Sequence, residues 1–113
     1  MWAGSIRNGL ISIREVSMKT YTDVPPGNDR GLSNNTVLSL FQESQDQIWV
    51  GTDGGGINSF NPLTEKFTHY SSTWEDKVAS ICQFTPGKLL ISLFSQGVFI
   101  FNRQQEKNSL SPL

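Results

Sequence analysis

The chain has 113 residues, 36% of them apolar before its ten glycines are added, and it sets nine basic residues against ten acidic ones. That length holds one domain with a modest core and no second lobe, and a balanced charge without blocks of one sign argues against a nucleic-acid footprint or a polybasic membrane patch. No run approaches the roughly 18 apolar residues that span a bilayer, the start MWAGSIRNGL lacks the pattern of a signal peptide, and a single cysteine makes neither an internal disulfide nor a metal site alone.

In chain order, the first apolar segment runs from Trp2 to about Tyr21 and is broken by the turn IRNG. A longer loop rich in Pro, Gly and Asn follows, DVPPGNDRGLSNN. Then come four short segments rich in Val, Ile, Phe, Trp, Tyr and Thr: TVLSLFQE (36–43), QIWVGT (47–52), GINSFN (56–61) and KFTHYS (66–71). Turn residues separate them, which is the pattern of antiparallel strands. No window holds an apolar period of 3.6 residues over a helical length.

These segments repeat. At a shift of 47 residues Trp2 meets Trp49, Gly4 meets Gly51 and Gly9 meets Gly56. At a shift of 41, Val37 meets Val78, Ser39 meets Ser80, Gly56 meets Gly97 and Phe60 meets Phe101. Such a period falls in the range of propeller blades. The expected fold is all-β, a partial β-propeller of four-stranded antiparallel blades that cannot close alone. Residues 1–24 form the end of a first blade, 25–71 a complete blade, and 72–113 a third, diverged blade and C-terminal tail. Segments 37–61 and 78–102 should superpose, with Trp49 and Leu90 in matching environments.

The run DGGG (53–56) raises the question of a phosphate loop. Such a loop sends its glycines into a helix N-terminus, whereas here they run into the extended pattern INSF. Asp-Gly between apolar strands is a hairpin signal instead. Trp2 and Trp49 hold one slot in successive repeats and should pack between blades. His69 lies in KFTHYS without a nucleophile motif and reads as a solvated or cross-strand histidine. Cys82, within VASICQF, reads as a buried and inert thiol. Glu75 and Asp76 are adjacent and point apart on an extended chain, so they make no acid/base pair. No Asp, Glu or His cluster has metal-ligand spacing; neither catalytic residues, a metal nor a cofactor is expected.

Up-and-down strands bring the loops 24–35, 53–56, 71–76 and 94–97 to one end of the blades. Loops on a rigid scaffold are where recognition residues sit. Trp74, Arg30, Asp29, Asp76 and Asn34 are the candidates for a ligand face, with turn formation as the alternative role.

The stretch GLSNNTVLSLFQESQDQIWVGTDGGGINSFNPLTEKFTHY (31–70) resembles the two-component regulator propeller repeat. The elements that carry the resemblance are Leu32 to Asn35, Val37 to Leu40, Ile48 to Thr52, Gly56 to Asn61, and Phe67 with Tyr70. The third repeat departs from the pattern: Leu90 replaces the tryptophan and Ser92 the glycine. The resemblance implies a periplasmic sensor region of a hybrid two-component protein of Bacteroidetes. In such proteins a membrane helix, a histidine kinase and often a DNA-binding regulator lie elsewhere, and the stimulus is commonly a glycan-derived oligosaccharide. It implies a binding or signalling module, not an enzyme, that contacts no nucleic acid and holds no membrane segment itself. The rivals are a propeller-type carbohydrate-active enzyme, which would need a convergent acid/base pair, and a purely structural, protein-docking blade array. Open sheet edges are templates for pairing, so self-association through exposed blade edges is expected.

Overall fold

A computed structural model describes residues 2–5, 9–14, 17–25, 28–70, 77–102 and 110–112. Among them are eleven β-strands and no helix, hence no helix long and apolar enough to cross a membrane. Sheet 1 is β1 (Trp2–Ser5), β2 (Gly9–Arg14) and β3 (Ser17–Tyr21), in that order. Sheet 2 is β4 (Val37–Ser44), β5 (Gln47–Thr52), β6 (Ile57–Asn61) and β7 (Lys66–Tyr70). Sheet 3 is β8 (Val78–Thr85), β9 (Lys88–Leu93), β10 (Gly97–Asn102) and β11 (Leu110–Pro112). Every neighbouring pair is antiparallel, so each sheet is an up-and-down meander of the kind a propeller blade requires.

The 41-residue repeat survives in fine detail. β4 starts at Val37 and β8 at Val78, and β5 and β9 start at Gln47 and Lys88. β4 breaks register between Val37 and Ser39 and again between Gln42 and Ser44. β8 breaks it between Val78 and Ser80 and between Gln83 and Thr85, the same two places one repeat later. A bulge adds local twist and re-aims the side chains beside it, so its recurrence marks a shared backbone design.

The sheets stack face on face. Between sheets 1 and 2 lie Leu10, Val37, Ile48, Val50, Phe60 and Phe67. Between sheets 2 and 3 lie Trp49, Ile57, Val78, Leu89, Ile91 and Phe101. Strand alternation explains the division: along β5, Ile48 and Val50 turn to sheet 1 while Trp49 turns to sheet 3. A middle sheet buried on both faces therefore reads as a continuous apolar run, and Ile48 through Thr52 are all buried.

Each interface carries the same aromatic group. Trp2 meets Phe60 at 5.3 Å and Tyr21 at 6.3 Å between ring centroids. One repeat on, Trp49 meets Phe101 at 5.5 Å and Tyr70 at 5.9 Å. Both tryptophans thus pack between sheets. The buried indole of Trp49 donates its Nε1 hydrogen to Glu43 Oε1 at 2.9 Å, as a buried tryptophan N–H requires a partner.

Two expectations are overturned. Leu90 does not share the environment of Trp49: it is half-buried on the outer side of sheet 3, whereas Trp49 is buried between two sheets. Cys82 is exposed, not buried. It pairs across the ladder with Leu90, and Leu90 with Ile100. These three occupy the side of sheet 3 turned away from sheet 2, whereas Val78 and Ile81 of the same strand supply the core. An apolar run alone does not reveal which of its faces has a neighbour.

Candidate functional site

The glycine run is a turn. Gly54 and Gly56 adopt φ of 94° and 76°, the left-handed region where glycine meets no Cβ penalty. Thr52 closes the turn from both its groups, its backbone N–H donating to Gly56 O at 3.1 Å and its hydroxyl to the same oxygen at 2.7 Å. No helix follows, so no array of free N–H groups is presented to an anion.

Several turns meet at one end of the sheets. Asp53 N donates to Thr36 O at 3.0 Å, and one repeat later Phe94 N donates to Lys77 O at 2.9 Å. A β-bridge joins Asp53 to Lys77, tying sheet 2 to the start of sheet 3. The Lys77 ammonium lies 5.5 Å from the centroid of the Phe94 ring, which is 74% exposed at the tip of the β9–β10 turn. Of the loops expected at this end, residues 33–35, 53–56 and 94 meet there, with Thr36 and Lys77 beside them.

Beneath this end sits a polar knot that the sequence reading missed. Asn58 is fully buried. Its Oδ1 accepts the Ser33 N–H at 2.9 Å, and its Nδ2 donates to Ser33 Oγ at 2.8 Å. Ser33 Oγ donates in turn to Gly55 O at 2.7 Å. The knot clamps the Leu-Ser-Asn-Asn segment onto β6 and the glycine turn. Asn58→Ala should cost about 1–3 kcal/mol, because Ser33 would lose a buried partner on each side. Urea unfolding measures this, with Asn34→Ala as a surface comparison expected to lose less.

The candidate residues divide. Asn34 stays at the turn end, where its Oδ1 accepts the Thr36 N–H at 2.8 Å and shapes the turn. Asp29 and Arg30 leave it. Asp29 O accepts the Phe67 N–H at 2.7 Å, and Gly31 O accepts from His69 Nε2 at 2.6 Å. Residues 29–31 therefore run along the outer edge of β7. Phe67 is three strand positions from Tyr70, about 10 Å at a strand's rise, which separates Asp29 from the turn end. His69 is half-buried and acts as a tie between strand and loop. The carbonyl can only accept, so Nε2 carries the hydrogen. Trp74 and Asp76 lie outside the described residues.

The β7 edge holds an open groove of about 380 Å³ lined by Asn28, Asp29, Phe67, Thr68 and His69. Asp29 and Arg30 face each other at 3.9 Å, with side chains 53% and 67% exposed. A pair so open to water adds little stability and leaves both charges available to a polar ligand. Among the described residues, no three His, Cys, Asp or Glu side chains are grouped to hold a metal. The chemistry on offer is hydrogen bonding and stacking.

Residues 31–54 match the two-component regulator propeller family. No curated protein matches the chain. Among solved structures, the chain is similar to the extracellular domain of BT3049 from B. thetaiotaomicron, described as a hybrid two component system. That match has 24% identity and a TM-score of 0.84 and covers 99% of this chain and 16% of the other. Two structures of the extracellular domain of BT4673 from the same organism, described as a one component and as a hybrid two component system, match with TM-scores of 0.71 and 0.70. Each has 24% identity and covers 96% of this chain and 16% of the other. The chain thus spans about a sixth of those domains, and at that identity the likeness establishes the fold. Motif, repeat period and fold converge: residues 31–54 match the two-component regulator propeller family, and they lie within an array of propeller-type blades.

Proposed function

We propose that the chain is a ligand-sensing and signal-transducing part of the extracytoplasmic sensor region of a hybrid two-component system, located in the periplasm, with a glycan-derived oligosaccharide as stimulus. The observation that carries this reading is the family match over residues 31–54, set in a fold shared along nearly the whole chain with extracellular domains of such systems. The chain itself binds and transmits; it does not catalyse. Two surfaces suit an oligosaccharide. One is the groove along β7, where Asn28, Asp29 and Thr68 offer polar groups to hydroxyls. The other is the turn end, where Phe94 offers an exposed ring.

The test is calorimetric titration of the protein with a panel of defined oligosaccharides. One class should bind, and Asp29→Ala with Arg30→Ala should weaken it about tenfold, the effect of about 1.4 kcal/mol. The melting temperature should barely move, since both side chains are exposed. Binding of no class, or an affinity indifferent to both substitutions, would sink the groove as the sensing surface. Incubation with the same panel should leave the oligosaccharide lengths unchanged; shortened products would favour an enzyme.

A further inference from the structure

We propose that the groove along β7 selects neutral over acidic sugars, with Asp29 as the residue that sets the choice. The inference rests on the oligosaccharide-sensing reading and adds to it the charge class of the ligand.

The wall that carries Asp29 is fixed from two sides. In front, Phe67 N–H donates to Asp29 O at 2.7 Å and His69 Nε2 donates to Gly31 O at 2.6 Å. Behind, Val24 N–H donates to Leu32 O and Leu32 N–H to Thr22 O, both at 2.9 Å. Gly31 fills the space between: a Cβ added there would strike Thr22 O and come within 2.6 Å of Val24 Cγ1. A main chain tied in this way holds Asp29 at the groove and not on a swinging loop, as a recognition group requires.

The polar groups of the groove suit a sugar hydroxyl. Asn28 Oδ1 accepts the Arg30 N–H at 2.9 Å, so its amide hydrogens are the part left to face a ligand. Thr68 is exposed, and its hydroxyl both donates and accepts. Asp29 brings a carboxylate, which only accepts, on a side chain 53% exposed. Neighbouring sugar hydroxyls can donate to that carboxylate while accepting from the amide. A uronate or a sulfate cannot: it brings acceptor oxygens and a negative charge to a wall that already presents both.

The surrounding charges do not reverse this. Asn28, Asp29, Phe67, Thr68 and His69 line the groove, with no lysine or arginine among them. Arg30 lies outside the lining, 67% exposed and 3.9 Å from Asp29 Oδ1, so it tempers the carboxylate without replacing it. Glu65 and Lys66, just before Phe67 in sequence, are of opposite sign. Two like charges about 4 Å apart in water repel enough to lower affinity about fivefold.

Calorimetric titration with matched tetrasaccharides tests the idea. The pairs are gluco-, manno- and galacto-configured chains and the same chains oxidised to uronates. Where a pair binds, the neutral member should bind about fivefold more tightly. The ratio should shrink between about 0.01 M and 1 M salt, as the screening length falls from about 30 Å to 3 Å. Asp29→Asn should bring the ratio near one, because the amide keeps the shape and one acceptor oxygen without the charge. Arg30→Gln should widen it, because the carboxylate loses its counter-charge. Both side chains are exposed, so both variants should fold, and opposite shifts of the ratio are not expected from a shared structural defect. A uronate that binds as tightly as its neutral partner overturns the proposal and leaves the sensing reading standing. So does a neutral preference that Asp29→Asn leaves unchanged, since another surface would then make the choice. Binding of no oligosaccharide, in these pairs or in the wider panel, overturns the sensing reading and the proposal with it.

Discussion

Trp49→Ala should be the most damaging single truncation in the described structure, costing about 3–5 kcal/mol. Domains of this size are stable by roughly 5–15 kcal/mol, so the substitution removes a large share of the total. Trp49 is 1% exposed and stands at the centre of the core between sheets 2 and 3. Alanine would withdraw the ring from Phe101 and Tyr70 and take away the indole hydrogen that Glu43 accepts. At about 4–8 °C per kcal/mol for a chain of this length, the melting temperature should fall by more than 12 °C. Trp49→Phe keeps a ring against Phe101 and should lose less. Trp2→Ala should also lose less, because Trp2 is only half-buried at its own interface. Thermal unfolding followed by circular dichroism ranks the three; a Trp2→Ala loss larger than that of Trp49→Ala would contradict the packing described.

That ranking shows what the sequence made legible. The Trp-x-Gly spacing, repeated at 2–4 and 49–51, marked a slot facing the same packing problem twice, and both tryptophans lie between sheets. The 41-residue shift placed the first three strands of sheet 3 because it was carried by glycines and by residues of alternating faces, which are sensitive to register; the closing strand, Leu110–Pro112, has no recognisable counterpart motif. Other features depended on what lies beside a strand and not on the strand. Asn58 is in phase with the buried Phe60 along β6, but a lone polar residue there does not reveal its partner; it is Ser33, folded over that sheet, that takes up its amide. Cys82 sits in an apolar run, yet its face has no covering sheet among the described residues. Asp29 and Arg30 seemed to belong to the turn end because a loop was treated as a tip. The backbone bond from Phe67 to Asp29 draws that stretch down along β7 instead. Long-range backbone pairing of a loop leaves no periodic trace in sequence.

The second large effect is expected at Gly51, and its cause is proximity. Gly54 is set by conformation: its φ is 94°, with nothing within 4 Å of an added Cβ. Gly51 has no such backbone demand. There an added Cβ would strike Ser39 Oγ, with Val78 Cγ1 at 2.7 Å and Val78 O at 2.9 Å. Ser39 Oγ donates to that same Val78 O at 2.9 Å, so the side chain would also displace the one hydrogen bond described here between the two first strands. Gly4 stands in the same relation to Val37 at the preceding interface, but it is exposed and the Val37 carbonyl lies farther off, at 3.4 Å. Gly51 meets a backbone carbonyl on a strand anchored at both ends by bulges. Gly51→Val should therefore cost about 3 kcal/mol, the upper part of the range for overpacking, and Gly4→Val should cost less. Adding Val78→Ala to Gly51→Ala should recover part of the loss, because the clash with Cγ1 disappears while those with Ser39 and the carbonyl remain. A double-mutant cycle reads this as a coupling of about 1 kcal/mol between the two positions. Strictly additive losses would mean that sheet 3 moves away as a body when Gly51 is filled, and that the valine contact does not set the spacing of the sheets.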